Sequence, residues 1–510
     1  MPNKLRLLAP LLAVALVAAC TGDPAPPASG DPDGTSLVIS VAEEPASLSP
    51  LAGYAEHGAA KLFDGLVEFQ DNLEPTPALA IDLPEPAPDG RSWTVRLRPD
   101  VTFADGSPFE AADVVATYRA LLDPATKSPV RQRFSMLKSV TLVNTATVRF
   151  DLTAPYAPFP ELLTLGIVSS ESVATPSPVG TGPYKLDSWT KGARLVLAAN
   201  QSYWDGAPAI KKVTVEFVPD DETRASMLRA GKLDGATLPP ALANRFEETD
   251  GVLVAVHSAA DVRGVVLPAG DPVTSDPDLR LALNHAVNRE AMVNGALAGK
   301  GRVASTPMPA VLAEFIEPEA EFETDLTQAL DILAASGWVP GATGVRAKNG
   351  VPAAFTVRYR TGDSVSAALA EAFAIDARAV GIQVTPEATN DPAALATGPA
   401  IVSLGDPFDP DPVLYQSFHS GPSALGGYAD TTADAALDTA RAATDPAERA
   451  TAYRKFQRAW VTAPGMVVLV TTNHTYVMRE SWDGYQPVVD AASADGTWGA
   501  WWNLEDWTPR

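Results

Sequence analysis

Trp93-Thr94-Val95-Arg96-Leu97-Arg98-Pro99-Asp100-Val101-Thr102-Phe103-Ala104-Asp105-Gly106-Ser107-Pro108-Phe109, running into Ala111-Ala112-Asp113-Val114, changes its hydrophobic period within one short stretch. Trp93, Val95 and Leu97 alternate with Thr94, Arg96 and Arg98, the period of two that turns one face of a strand to a core and the other to water. Pro99-Asp100 bends this strand toward Val101-Thr102-Phe103, and Asp105-Gly106 predicts a hairpin closing there. From Ala111 the spacing is helical: Val114, Tyr118, Leu121 and Leu122 share one face, and Asp123-Pro124 ends it.

The alternation of strand and helix continues on both sides. Leu37-Val38-Ile39-Ser40-Val41, ahead of Pro45 and Pro50, reads as a buried strand opening the fold. Asp221 is placed to cap a helix running through Met227 and Leu228 to Gly231. Asp276-Pro277 supplies an N-cap and first helical residue for Leu279, Leu283, Ala286 and Val287. The strand Phe355 to Arg358, a helix carrying Leu369, Phe373, Ala377 and Val380 up to Gly381, and the strand Ile382-Gln383-Val384 form a strand-helix-strand unit. No internal repeat of solenoid period is present, and the expected class is mixed α/β.

At the N-terminus, Lys4 and Arg6 precede an apolar run from Leu7 to Val17, then Ala18, Ala19 and Cys20. That is a secretion signal, since the run is shorter than the ~20 apolar residues needed to cross a hydrocarbon core. Cys20 is the single cysteine of the chain, which excludes a disulfide framework and a CxxC metal site. Leu16-Val17-Ala18-Ala19-Cys20 resembles the lipobox of bacterial lipoproteins, in which the cysteine is acylated. Such a chain holds a protein at a membrane surface with ~0.8 kcal/mol per buried CH2. Thr21 to Gly34 is Pro-, Gly-, Ser- and Asp-rich and reads as a disordered tether. Roughly 480 residues follow, enough for two or three domains. The chain holds 38 Lys plus Arg against 62 Asp plus Glu, a net charge of -24. Loss of Lys4 and Arg6 with the signal makes it two units more negative. This balance opposes nucleic-acid or anionic-lipid binding through a basic patch.

The Trp93–Val114 stretch resembles a signature of the family 5 bacterial solute-binding proteins, which include dipeptide-, oligopeptide- and nickel-binding receptors of ABC importers. Further stretches agree in order: Leu62-Phe63-Asp64-Gly65-Leu66-Val67, Gly180-Thr181-Gly182-Pro183-Tyr184, and Asn200 to Gly206 with Tyr203-Trp204. Asp221 to Asp234, Arg280 to Ala291 with its Ala-Val-Asn-Arg-Glu core, and Ser336-Gly337-Trp338 follow. The resemblance implies a two-lobed periplasmic-binding-protein-like α/β fold of class II type, with an inserted subdomain in the first lobe. The implied divisions are a signal peptide at 1–19 and a tether at 20–35. Lobe I is formed by 36–52, 176–265 and 475–510, the inserted subdomain by 53–175, and lobe II by 266–474. It also implies a monomer without cofactor or catalytic residues, anchored outside the cytoplasm through Cys20. Such a receptor captures peptides between its lobes and delivers them to permease subunits, which the cytoplasmic ATPase drives. Hinge closure on the ligand would signal occupancy. Other solutes of the family, a nickel chelate or an oligosaccharide, are alternatives, as is a transport-inactive regulatory lipoprotein of the cell envelope.

A receptor for peptides of varied sequence has to recognise main chain and charged termini. A strand edge serves the first, an acid serves the ammonium and an arginine fork serves the carboxylate. In Gly405-Asp406-Pro407-Phe408-Asp409-Pro410-Asp411-Pro412, Asp406 resembles the ammonium-binding aspartate of dipeptide receptors, and Asp409 is its substitute if the prolines shift the register. Arg360, 21 residues before Gly381, resembles the carboxylate-binding arginine. Residues 385–430 match the family least well. Tyr184 is expected to pack at the hinge. Trp498, Trp501, Trp502 and Trp507 either close the core of lobe I or form an aromatic wall. Catalysis finds no support: GxSxG, HExxH and GxxxxGK[ST] are absent. His57, His257, His285, His419 and His474 show no metal-ligand spacing, and no metal is expected.

Overall fold

The computed structural model describes residues 34–55, 58–175, 178–492 and 497–510. The signal at 1–19, Cys20, the tether up to residue 33 and His57 lie outside the described residues.

Two long strands, Val252–Val266 and Met466–Arg479, form the spine. They pair antiparallel from Val252↔Arg479 to His257↔His474, slip out of register, and pair again from Asp261↔Thr472 to Val266↔Met466. One eleven-stranded sheet extends from this pair in both directions among the described residues. On one side lie Gly235–Thr237, Ser36–Val41, Lys212–Phe217, Arg194–Ala199 and Tyr184–Thr190; on the other lie Ala400–Leu404, Ala354–Arg360 and Gln383–Thr389, and Gly301–Val303 pairs with Met466–Arg479 off this order. Ser36–Val41 runs parallel to Lys212–Phe217, and Ala354–Arg360 runs parallel to Gln383–Thr389. These halves are two lobes joined by the two spine strands, as expected for a mixed α/β protein.

Each lobe has its own apolar centre. Leu37, Ile39, Val41, Tyr184, Tyr476, Trp501 and Trp507 fill lobe I. Tyr184 and two of the tryptophans are therefore core residues. Leu279, Leu283, Leu369, Phe373 and Val380 fill one part of lobe II, and Phe418, Tyr453 and Trp460 another. A third centre belongs to a subdomain, where Trp93, Val95 and Leu97 pack on Val114, Tyr118 and Phe150. The strand Ser92–Arg96 and the helix Ala111–Leu122 form there as the sequence periodicity predicts.

Two local expectations change. The Ser92–Arg96 strand pairs with Thr147–Leu152, and residues 101–109 form a tight turn whose one bridge is Thr102↔Pro108. Pro99 and Pro108 lack the N–H groups that a longer ladder needs, while the Asp105 carboxylate accepts from Ser107 N at 2.9 Å and fixes the turn. The helix Asp221–Arg229 is capped by Asp220, which accepts from Thr223 N at 2.8 Å. Asp221, one residue later, pairs instead with Arg224.

The motif stretches converge in space. Asp64 accepts from Thr181 Oγ1 at 2.7 Å, Tyr203 OH at 3.0 Å and Trp204 Nε1 at 2.9 Å. A Cβ at Gly180 would lie 2.1 Å from Leu62 O, so only glycine lets these two segments touch. Burial raises the Asp64 carboxyl above its ordinary value despite the three neutral donors. In the Ala-Val-Asn-Arg-Glu stretch, Arg289 is buried and donates to Val468 O at 3.0 Å and Ala304 O at 2.9 Å. These motif residues knit segments together.

Candidate functional site: the interlobe cleft and its hinge

The lobes enclose a cleft of about 810 Å3, within the size range of sites for small molecules. Lobe I contributes Ala42 and Glu43 just after its first strand, together with Arg224 and Thr237 to Pro240. The subdomain adds Arg133. The spine strand Val252–Val266 contributes Arg263, and lobe II contributes Arg360 to Asp363, Ile401 to Asp406 and one face of the helix Asp411–Phe418. Thr472 to Thr475 of the hinge form its back.

Gly405 lets the chain enter this wall. Its φ is 141°, and a Cβ there would stand 1.7 Å from Ala260 O, so glycine alone permits the close approach. The next residue, Asp406, is 2% exposed. Its Oδ1 accepts from Phe408 N at 2.9 Å, and its Oδ2 faces Arg133 Nη2 of the subdomain at 3.3 Å. Arg360 also lines the cleft and is paired across it with Glu43. Asp406 and Arg360 thus reach the same cleft, each beside a charge from the opposite side.

Asp409 does not join them. It is absent from the cleft wall, and both of its oxygens are held by Arg449, at 2.7 and 2.9 Å. Burial raises its carboxyl and Arg449 only partly offsets that. Its expected service as a substitute for Asp406 is therefore corrected: the carboxylate closes a buried ion pair inside lobe II. Asp411 is likewise engaged, with Arg441 at 2.7 Å and Tyr156 OH at 2.9 Å.

The lobes are closed on each other. Besides the Arg133–Asp406 and Arg360–Glu43 pairs, Ser364 Oγ donates to Asp221 Oδ2 at 2.6 Å. Phe69 and Phe408 stack with ring centroids 3.7 Å apart, and Trp498 meets Phe408 edge-on. Trp498 and Trp502 thus pack at the lobe interface, unlike Trp501 and Trp507 in the core of lobe I.

Lobe II also presents main chain to the cleft. The strand Ala400–Leu404 pairs along its length with Val252–Val266, whereas its other edge meets Ala354–Arg360 only at Arg358↔Ala400. Among the described residues no strand covers that edge from Ile401 to Leu404, and those residues line the cleft. Such an edge can accept an extended chain.

Behind the cleft, the register slip in the spine strands holds a charged cluster. His474 Nδ1 donates to Asp490 Oδ2 at 2.9 Å, and Nε2 donates to Asp261 Oδ2 at 3.2 Å. Asp490 also accepts from His257 Nδ1 at 2.8 Å and from the Tyr476 hydroxyl. Asp261 accepts further from Thr472 Oγ1 at 2.6 Å and Arg263 Nε at 3.1 Å, and Arg263 continues to Asp363. Burial alone would lower the His474 pKa, but the two carboxylates lift it to about 9. Burial would raise Asp261, yet Arg263 and His474 hold it well below the usual carboxylate range. Sequence reasoning treated His257 and His474 as scattered and missed Asp261 and Asp490. The available signal was His257, Asp261 and His474 in the middle of otherwise apolar strands; Asp490 lies outside any strand.

Among the described residues, no cluster of three or more His, Cys, Asp or Glu could hold a metal ion, and no helix is long and apolar enough to cross a membrane.

Comparison with known proteins agrees with this architecture. Residues 74–424 match the model for bacterial extracellular solute-binding proteins, family 5. Protein XP55 of Streptomyces lividans is 42% identical over 495 residues, covering 92% of this chain and 91% of that protein. The structure of NikZ from Campylobacter jejuni in complex with Ni(L-His) superposes with a TM-score of 0.86 at 24% identity, covering 93% of this chain and 99% of that one. The oligopeptide-binding protein AppA of Bacillus subtilis, solved with a nonapeptide, gives 0.84 at 22% with the same coverage. The chain belongs to the family 5 bacterial extracellular solute-binding proteins of ABC transporters, and is a binding protein and not an enzyme.

Proposed function

We propose that the chain captures peptides of a few residues in the interlobe cleft and delivers them to the permease of an ABC importer, held at the membrane surface by an acylated Cys20. The observation that carries this reading is the combination on one cleft of Asp406, Arg360 and the uncovered strand edge Ile401–Leu404. An ammonium, a carboxylate and an extended main chain are the three features common to all peptides, and these groups match them in kind. In the closed form Asp406 faces Arg133 and Arg360 faces Glu43, so a peptide would bind by exchanging ion pairs with both. Net binding energy would then come mainly from the main chain and from buried apolar area, which suits a receptor tolerant of side chains.

A metal chelate is the second reading, favoured by Arg133, Arg263 and His474 on the same cleft. Against direct ligation, both ring nitrogens of His474 donate to carboxylates, and a pKa of about 9 keeps the ring protonated without a lone pair for a metal.

Calorimetric titration with a pool of di- to pentapeptides tests the peptide reading. Tight binding that Asp406→Ala weakens by about tenfold or more is the expected result. No binding across the pool, with a histidine–nickel chelate bound instead, would replace it by the second reading.

A further inference from the structure

The charged groups on the cleft are already partnered: Arg133 with Asp406, Arg224 with Asp221, Arg263 with Asp261 and Asp363, Arg360 with Glu43. Among the described residues, two buried neutral groups on the cleft are not. Gln416 Nε2 and Thr237 Oγ1 are buried from solvent without a hydrogen-bond partner, and both residues line the cleft, one from each lobe. The Tyr118 hydroxyl and Trp501 Nε1, also without partners, sit in the apolar cores.

Local structure explains how these two residues come to the cleft wall. In the helix Asp411–Phe418, residues 412, 413, 416 and 417 line the cleft, while Leu414 and Phe418 are buried in lobe II. The helical repeat therefore commits Gln416 to the cleft face. Thr237 ends the short strand Gly235–Thr237, in register with Tyr476, and its carbonyl accepts from Arg224 Nε at 3.1 Å. Its backbone is fixed on both sides, and the hydroxyl has nothing to bond.

We propose that Gln416 and Thr237 are specificity residues that read the main chain of the ligand from opposite lobes. The inference rests on the peptide reading and deepens it. The primary amide of Gln416 carries a donor and an acceptor side by side. In an extended chain, the N–H and C=O of a single residue point to the same side, as in a hydrogen-bonded antiparallel pair. Gln416 therefore fits one extended ligand residue through two bonds, Nε2 donating to its carbonyl and Oε1 accepting from its N–H. The Thr237 hydroxyl meets a ligand polar group from lobe I. Because a buried donor without an acceptor is costly, a ligand that satisfies both groups favours the closed form, as occupancy-dependent closure requires.

The test compares wild type, Gln416→Met and Thr237→Val by calorimetry against one peptide selected from the di- to pentapeptide pool, together with thermal unfolding of the ligand-free proteins. Each substitution keeps the volume and removes the hydrogen-bonding group. The expected result is affinity lowered about tenfold by each, with the Tm of the ligand-free protein unchanged or raised. N-methylation of one ligand residue should weaken binding to wild type about as much, and to Gln416→Met little. Unchanged affinity in both variants, or a fall in ligand-free Tm with affinity intact, would overturn the inference while leaving the peptide reading standing. Wild type that binds no peptide would overturn both.

Discussion

Asp64 and Asp261 are both buried carboxylates that tie distant segments together, and they meet the cost of burial in opposite ways. Asp64, at the junction of subdomain and lobe I, is held by three neutral donors, and its carboxyl is raised. Asp261, at the hinge, is held by Arg263 and His474, and its carboxyl is lowered. At Asp64 the neutral hydrogen bonds do not recover what the carboxylate loses on leaving water, whereas at Asp261 the two adjacent cations do. The junction is thus a fixed knot of dipoles, and the hinge is a charge network whose members depend on one another.

The largest expected difference follows from removing each acid. Asp261→Ala leaves Arg263 and His474 short of a counter-charge and should cost about 3–5 kcal/mol in denaturant unfolding. Asp64→Asn keeps the shape and should cost about 1–3 kcal/mol. An equal or reversed order would break the contrast. Next in size is pH dependence. His474 is raised from 6.5 to about 9, so its contribution is fully present below pH 6.5 and lost as pH rises through about 9. Wild-type stability should fall across that window, and His474→Gln should flatten the slope. Asp261, lowered, contributes above the ordinary carboxylate range and loses its contribution as pH falls through and below it. The smallest effect belongs to the exposed Arg360–Glu43 pair: Glu43→Gln should change stability by about 0–1 kcal/mol. A loss comparable to that of Asp261→Ala would show that closure depends on this latch.

The strand-helix alternation was legible because period two and period 3.6 are local properties. Leu37 to Val41, Ala111 to Leu122 and the unit from residue 355 to 384 formed where their spacing placed them. The Asp105-Gly106 turn was legible but its ladder was not, since strand pairing is settled by the rest of the subdomain sheet. In the Gly405–Pro412 loop, Asp406 reached the cleft and Asp409 the interior. Nothing in that short acidic, proline-rich stretch distinguishes them, because Arg449 and Arg133, which separate their fates, lie far away in the chain. The hinge cluster was hidden for the same reason: His257 and Asp490 meet across 233 positions of separation. Nothing in the sequence singled out Gln416, whose place on the cleft depends on how the helix Asp411–Phe418 packs.

Native mass spectrometry of the purified protein, with the bound species released by denaturation and fragmented, tests capture of peptides most directly. Released peptides of a few residues, of varied sequence and lost from Asp406→Ala, are the expected result. Release of a sugar or a metal chelate, with no peptide even after incubation with the di- to pentapeptide pool, would contradict it.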